Sequence, residues 1–287
     1  MILENIQIDR AGGRGVAVGK TSDGKTVLVR GAAPGDVVDV RVIKRHKNFF
    51  EGRVDRVVTA SALRVAPSCA HTESCGGCPW QHLGYPSQAE FKASEVEEQL
   101  VRVGGVSRDG VVWNPFISAP VPFRYRNKTE FSFTFNRWKT RGEMDANPDS
   151  EHEPGLGFHV PGFWDKILDV QDCHLIPDYG NEIRNALRDE AIALGLSFWQ
   201  PRAKVGALRT AMLRSNQSGD WMLIIQWGEH PGADGFTLMH RMAERFDRLV
   251  SLYWGLNEKV NDSMYDVDLH LFHWIEALEE TMESAIE

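Results

Sequence analysis

Four cysteines carry the clearest chemistry in this 287-residue chain: Cys69, Cys75, Cys78 and, far downstream, Cys173. The pair Cys75 and Cys78 sets two thiolates on one metal centre across a tight turn, which Gly76 and Gly77 leave free to bend. Three close ligands with a remote fourth suit a cubane iron–sulfur cluster, and Pro79 follows the third ligand as in some ferredoxins. Zinc held tetrahedrally by the same four thiolates suits the spacing equally well. A disulfide pair is disfavoured in a reducing cytoplasm.

A second group has the chemistry of nucleic-acid contact. Arg41, Lys44, Arg45 and Lys47 run into Phe49 and Phe50. Cations beside aromatic rings attract phosphate and stack bases, a contribution of about 1–3 kcal/mol per base. The competing reading is a solvated charged hairpin with one phenylalanine plugging a barrel. Arg124, Arg126, Asn127 and Lys128 open a later strand with donors for phosphates and base edges, or simply make a polar strand entry. Trp80, Gln81 and His82, next to the cysteine motif, suit packing at least as well as substrate contact. Asn257 and Asn261 suit turn capping and receive no role.

The elements that must position these residues are readable in outline. Val38, Val40 and Val42 alternate with Asp39 and Arg41, and turn residues at Gly12-Gly13, Ser22-Asp23-Gly24 and Pro34-Gly35 separate short apolar runs. Five strands in about sixty residues predict a small closed barrel of the oligonucleotide-binding kind. The spacing predicts a helix from Pro86 to about Val103, with Phe91, Val96, Leu100 and Val103 near one face. Strands return near 120. A hairpin is expected over Arg209–Trp227, turning at residues 216–220, and helices over roughly Asn181–Leu194 and Phe236–Leu249. The fold class is therefore α+β: an OB-like five-stranded β-barrel over 1–62, a cysteine loop over 63–85, a helix and linker over 86–119, and an antiparallel α+β domain over 120–287.

The net charge of −8 is unevenly spread. Residues 1–60 carry +4 and the remainder −12, so the mean does not exclude RNA. Neither a membrane span nor a signal peptide is recognisable, and a cytoplasmic location is the expectation.

The stretch from Pro67 through Cys69, Cys75, Cys78, Trp80 and Gln81 to His82 resembles the iron–sulfur signature of bacterial 23S rRNA uracil-C5 methyltransferases. The segment Asp172-Cys173-His174-Leu175 looks like that family's fourth-ligand segment. The run from Gly12 through Pro34-Gly35-Asp36 to Lys47 resembles the family's TRAM module. Pro122–Lys128 and Trp254–Asn261 resemble its central domain. The resemblance implies a 4Fe–4S cluster on Cys69, Cys75, Cys78 and Cys173, ribosomal RNA as partner, and S-adenosylmethionine as cofactor of the family enzyme. Family members continue into a domain carrying the cofactor site, a nucleophilic cysteine and a base, whereas this sequence stops after Glu276–Glu287 with all four cysteines assigned. The expectation is thus the truncated RNA-binding and iron–sulfur portion of such an enzyme, inactive alone and served by a separate catalytic chain. The alternatives are a stand-alone RNA-binding iron–sulfur protein and, less well suited to a basic barrel, an electron carrier.

Overall fold

Alternation and turns build the first of two units in this computed structural model, which describes residues 1–149 and 151–280. This unit comprises residues 1–72 and 77–122. Its strands are β1 (Ile2–Ala11), β2 (Val16–Lys20), β3 (Thr26–Arg30), β4 (Val37–Arg45) and β5 (Phe49–Thr59), closed into a barrel in the order β1-β2-β3-β5-β4. The expected five strands are all present. Closure pairs β3 with β5 in parallel and leaves no open edge. Ile6, Ile8, Ala17, Val27, Val29, Val38 and Val40 fill the interior. Asp39 departs from a simple inside–outside alternation, being buried as well, because Asn5 N and Arg56 both donate to its carboxylate. Gly52 is required where β4 and β5 close up: a Cβ there would lie 2.7 Å from the Arg41 carbonyl oxygen.

Beyond the barrel, α1 (Tyr85–Glu98) begins with Pro86 in its first turn, where a missing N–H costs nothing. The predicted helix runs to Val103, but its last five residues, Gln99–Val103, form a wider π-helical turn that shifts the apolar spacing. Phe91 packs edge-on against Trp80 at 6.2 Å, while Val96, Leu100 and Val103 are exposed. The expected apolar stripe is therefore split: its first member is satisfied and the rest face outward.

The second unit comprises residues 73–76 and the chain from Phe123 onward. It holds β6 (Lys128–Thr134), α2 (Arg141–Ala146), β7 (Gly155–His159), β8 (Ile167–Asp169), α3 (Asp178–Ala193), β9 (Leu208–Ser215), β10 (Trp221–Trp227), α4 (Gly232–Arg245), β11 (Leu249–Leu256) and β12 (Leu269–Trp274). The sheet order is β12-β11-β10-β9-β6-β7-β8, with β10 and β11 parallel and the other neighbours antiparallel. The hairpin turns at Asn216–Asp220 as expected. α4 starts and ends four residues earlier than its periodicity suggests, since Pro231 and Gly232 set its start. β6 buries Phe131 and Phe133 and exposes Lys128 and Glu130, while α3 and α4 bury Ile183, Leu187, Leu238, Met239 and Met242. The terminal segment Glu276–Glu287 lies partly outside the described residues, from 281 on. No helix among the described residues is long and apolar enough to cross a membrane.

Candidate nucleic-acid interface

The β4–β5 hairpin projects its charges from the rim of the barrel. Lys44 and Lys47 are exposed and, among the described residues, have no hydrogen-bond or ion-pair partner. The Arg45 side chain has one hydrogen-bond partner among the described residues, the Met1 sulfur at 3.0 Å. Arg41 is engaged by Asp55 through its Nε at 2.8 Å and is the least available of the four. Phe49 stacks on His46 with ring centres 4.1 Å apart, and the His46 Nε2 pairs with Glu51 at 2.7 Å. Phe50 packs against the barrel core with the Lys25 ammonium 4.0 Å above its ring. Both phenylalanines are half-buried, Phe50 against the barrel core and Phe49 against His46. The hairpin offers three cations and one ring.

The loop after the barrel is organised from below. Gln81 accepts from Cys69 N at 2.8 Å, and the Thr72 hydroxyl donates to the Cys69 carbonyl at 2.7 Å. Trp80, Gln81 and His82 are all buried, so this run packs within the unit. Burial holds the His82 imidazole below its ordinary value, and its Nε2 sits 3.2 Å from the Ala32 carbonyl. Cys69 and Cys78 belong to the first unit, Cys75 and Cys173 to the second. No group of three or more His, Cys, Asp or Glu side chains among the described residues is arranged to hold a metal.

In the second unit Arg124 is engaged by neighbouring groups. Its guanidinium donates to the carbonyls of Cys173 and Ile176, both at 3.0 Å, and pairs with Asp178 at 2.6 Å. Asn181, at the start of α3, accepts from Cys173 N at 2.9 Å and completes this bracket around the buried cysteine. The sequence pattern groups Arg124 with the RNA contacts and gives Asn181 no role, although a polar side chain in a first helical turn was the available signal. Arg126 and Lys128 have no ion-pair partner among the described residues, and Asn127 contributes its carbonyl to Ser215 N at 2.9 Å. Asn257 is buried and caps its turn through Lys259 N at 3.0 Å.

The barrel's sequence matches the model of a known module over residues 5–54. Those residues are a TRAM domain. Across 91% of its length the chain is 36% identical to a Porphyromonas gingivalis protein named an uncharacterized RNA methyltransferase, covering 57% of that protein. A Bacteroides thetaiotaomicron protein of the same name is 34% identical over 94% of this chain and 59% of its own length. The chain thus spans a little over half the length of the curated relatives it matches. It shares its fold with the tRNA (uracil-54, C5)-methyltransferase of Pyrococcus abyssi, solved in complex with S-adenosyl-L-homocysteine, at a TM-score of 0.62 and 23% identity. That likeness covers 93% of this chain and 59% of the other.

These matches correct one expectation. The motifs by themselves predict the truncated RNA-binding and iron–sulfur portion of a 23S rRNA enzyme, or a stand-alone iron–sulfur protein, with catalysis left to a separate chain. Relatives named as methyltransferases align with about nine-tenths of the chain, and so does the fold of a uracil-C5 methyltransferase. The motif resemblance suggests a fragment because it weighs where the sequence stops and that all four cysteines are assigned, and neither carries information about the activity of the chain.

Proposed function

We propose that this chain acts in S-adenosylmethionine-dependent methylation of uracil C5 in RNA, ribosomal RNA being the substrate its motifs favour. The observation that carries the reading is the extended similarity to RNA methyltransferases behind a TRAM barrel whose hairpin leaves cations unpaired. In it, Lys44, Arg45 and Lys47 neutralise phosphates, with Arg41 behind them, and Phe49 offers its rim face to a base. Phe50 supports the hairpin from the core. Arg126, Asn127 and Lys128 hold RNA on the second unit, and the four-part organisation of the chain belongs to the same reading.

The cofactor supplies the methyl group when bound, but the described residues do not fit it at the place that resembles a nucleotide fold. The unit β10-α4-β11 does have a glycine-bearing strand-to-helix turn. Yet a Cβ at Gly228 would lie 2.6 Å from a Trp199 ring atom, and one at Gly235 2.8 Å from the Trp227 ring. Those glycines make room for tryptophans, not for a ligand, and no step is routed through the cofactor.

A 4Fe–4S cluster on Cys69, Cys75, Cys78 and Cys173 remains part of the proposal, supported by spacing and by one orphan atom. Gln81 is buried, its Oε1 is committed to Cys69 N, and its Nε2 donor has no partner among the described residues. A buried amide donor without an acceptor calls for an unseen one, and a thiolate or sulfide sulfur beside Cys69 would supply it. Protein prepared without air should contain about four irons and four sulfides per chain, and Cys75→Ser should lower both. One zinc with neither iron nor sulfide would remove the cluster from the reading.

RNA binding by the barrel is tested through salt. Replacing Lys44, Arg45 and Lys47 with Ala should flatten the slope of log affinity against log salt for single-stranded RNA. The change should be about 0.7 for each phosphate that a cation no longer neutralises. A triple variant that keeps the parent's slope would place the RNA surface elsewhere.

A further inference from the structure

The cross-strand register sets two cations face to face on the sheet of the second unit. Lys128 on β6 and Arg214 on β9 are direct partners in the antiparallel ladder, and both are exposed. Directly opposed like charges weaken a strand pair, so this juxtaposition needs a reason. Glu130 acts on Lys128 only through charge at a distance, and Arg214 has no carboxylate partner among the described residues. Among the described residues neither side chain forms an ion pair or hydrogen bond, and Glu130, two residues along β6, pairs with neither. The strands continue in step beyond Lys128, since Ser215 N donates to the Asn127 carbonyl, and Arg126, also unpaired among the described residues, adds a third cation at that end. By contrast, Arg124, two residues earlier, is fully committed to Asp178 and the Cys173 turn.

We propose that Lys128 and Arg214, with Arg126 beside them, clamp a backbone phosphate of the RNA. This rests on the reading of the chain as RNA-binding, and it adds Arg214, which lies 86 positions from Lys128 and carries no motif. Bound phosphate converts the repulsion across the ladder into attraction of both cations to one anion. Free of RNA, the pair is a cost to the fold. Neutralising it should therefore weaken binding without lowering stability, a combination that a structural arginine would not show.

The experiment compares the full chain with Lys128→Ala/Arg214→Gln and, as a control for removed charge, with Arg141→Ala, which deletes a highly exposed arginine loosely paired to Asp145 at 3.8 Å. Binding of a uridine-containing single-stranded RNA is titrated between about 50 and 200 mM salt, with inorganic phosphate as competitor and melting temperature as a second readout. The double variant should flatten the salt slope by about 0.7, the share of the one phosphate the pair clamps, and melt no lower than the parent. The control should keep its slope. A double variant with the parent's slope overturns the clamp, as does a lower melting temperature, an equal effect of Arg141→Ala, or full displacement of the RNA by low millimolar phosphate. A parent that binds no RNA fails the underlying reading instead, and the two failures are distinguishable.

Discussion

Asp36→Asn is expected to lower folding stability by about 3 kcal/mol at neutral pH, the scale of breaking a buried ion pair by removing one partner. Asp36 is fully buried. Its carboxylate accepts from Ala33 N at 2.6 Å, Ser61 N at 2.8 Å and the Arg64 guanidinium at 2.8–3.1 Å. Burial by itself would raise this carboxyl's pKa, but Arg64 and the two backbone donors outweigh it and hold it below the ordinary 3.8. The sign follows from linkage. A carboxyl whose folded pKa is depressed stabilises the fold above its unfolded pKa, and loses that contribution as pH falls through the folded value. The gap between parent and variant, measured by urea unfolding, should be full at pH 7 and shrink below about pH 4. A gap under about 1 kcal/mol, or one that does not change with pH, would show that the charge on Asp36 is not what holds the barrel to the Ser61–Arg64 turn.

Arg209→Met should have an effect of similar size, about 3–5 kcal/mol, and a local signature besides. The guanidinium of Arg209, 1% exposed, donates to the carbonyls of Asn257, Lys259 and Asn261 at 2.5, 2.8 and 3.2 Å and pairs with Asp262 at 2.5 Å. The Trp199 ring lies 4.1 Å from it. Methionine fills much of the volume and leaves the Asn257 and Lys259 carbonyls and the Asp262 carboxylate without this donor, while the Asn261 carbonyl keeps the Asn257 amide. Arg209→Lys should recover only part of the loss, because an ammonium cannot reproduce the planar fork that reaches four acceptors at once. Hydrogen exchange should rise across residues 257–262 before the rest of the sheet. Full rescue by lysine would mean that charge suffices and fork geometry does not matter.

What was legible in the sequence was local. Alternation at Val38, Val40 and Val42 and the turn residues between apolar runs determined the five barrel strands, and turn chemistry at Asn216–Asp220 determined the hairpin. Side-chain period and turn preference act over a few residues, so they survive in the linear order. The chemical types of the hairpin cations and the four thiols were equally plain. The tertiary structure decided which charged groups are spoken for. Arg124 looked like an RNA contact and is bound to Asp178 and the Cys173 turn. Phe50 looked like a stacking ring and is packed on the barrel core. Arg209 carried no signal, yet it braces a loop about fifty residues away, and Arg214 became notable only when the register set it opposite Lys128. A charge is available or committed according to what long-range pairing brings within about 3 Å of it, and no pattern along the chain records that distance.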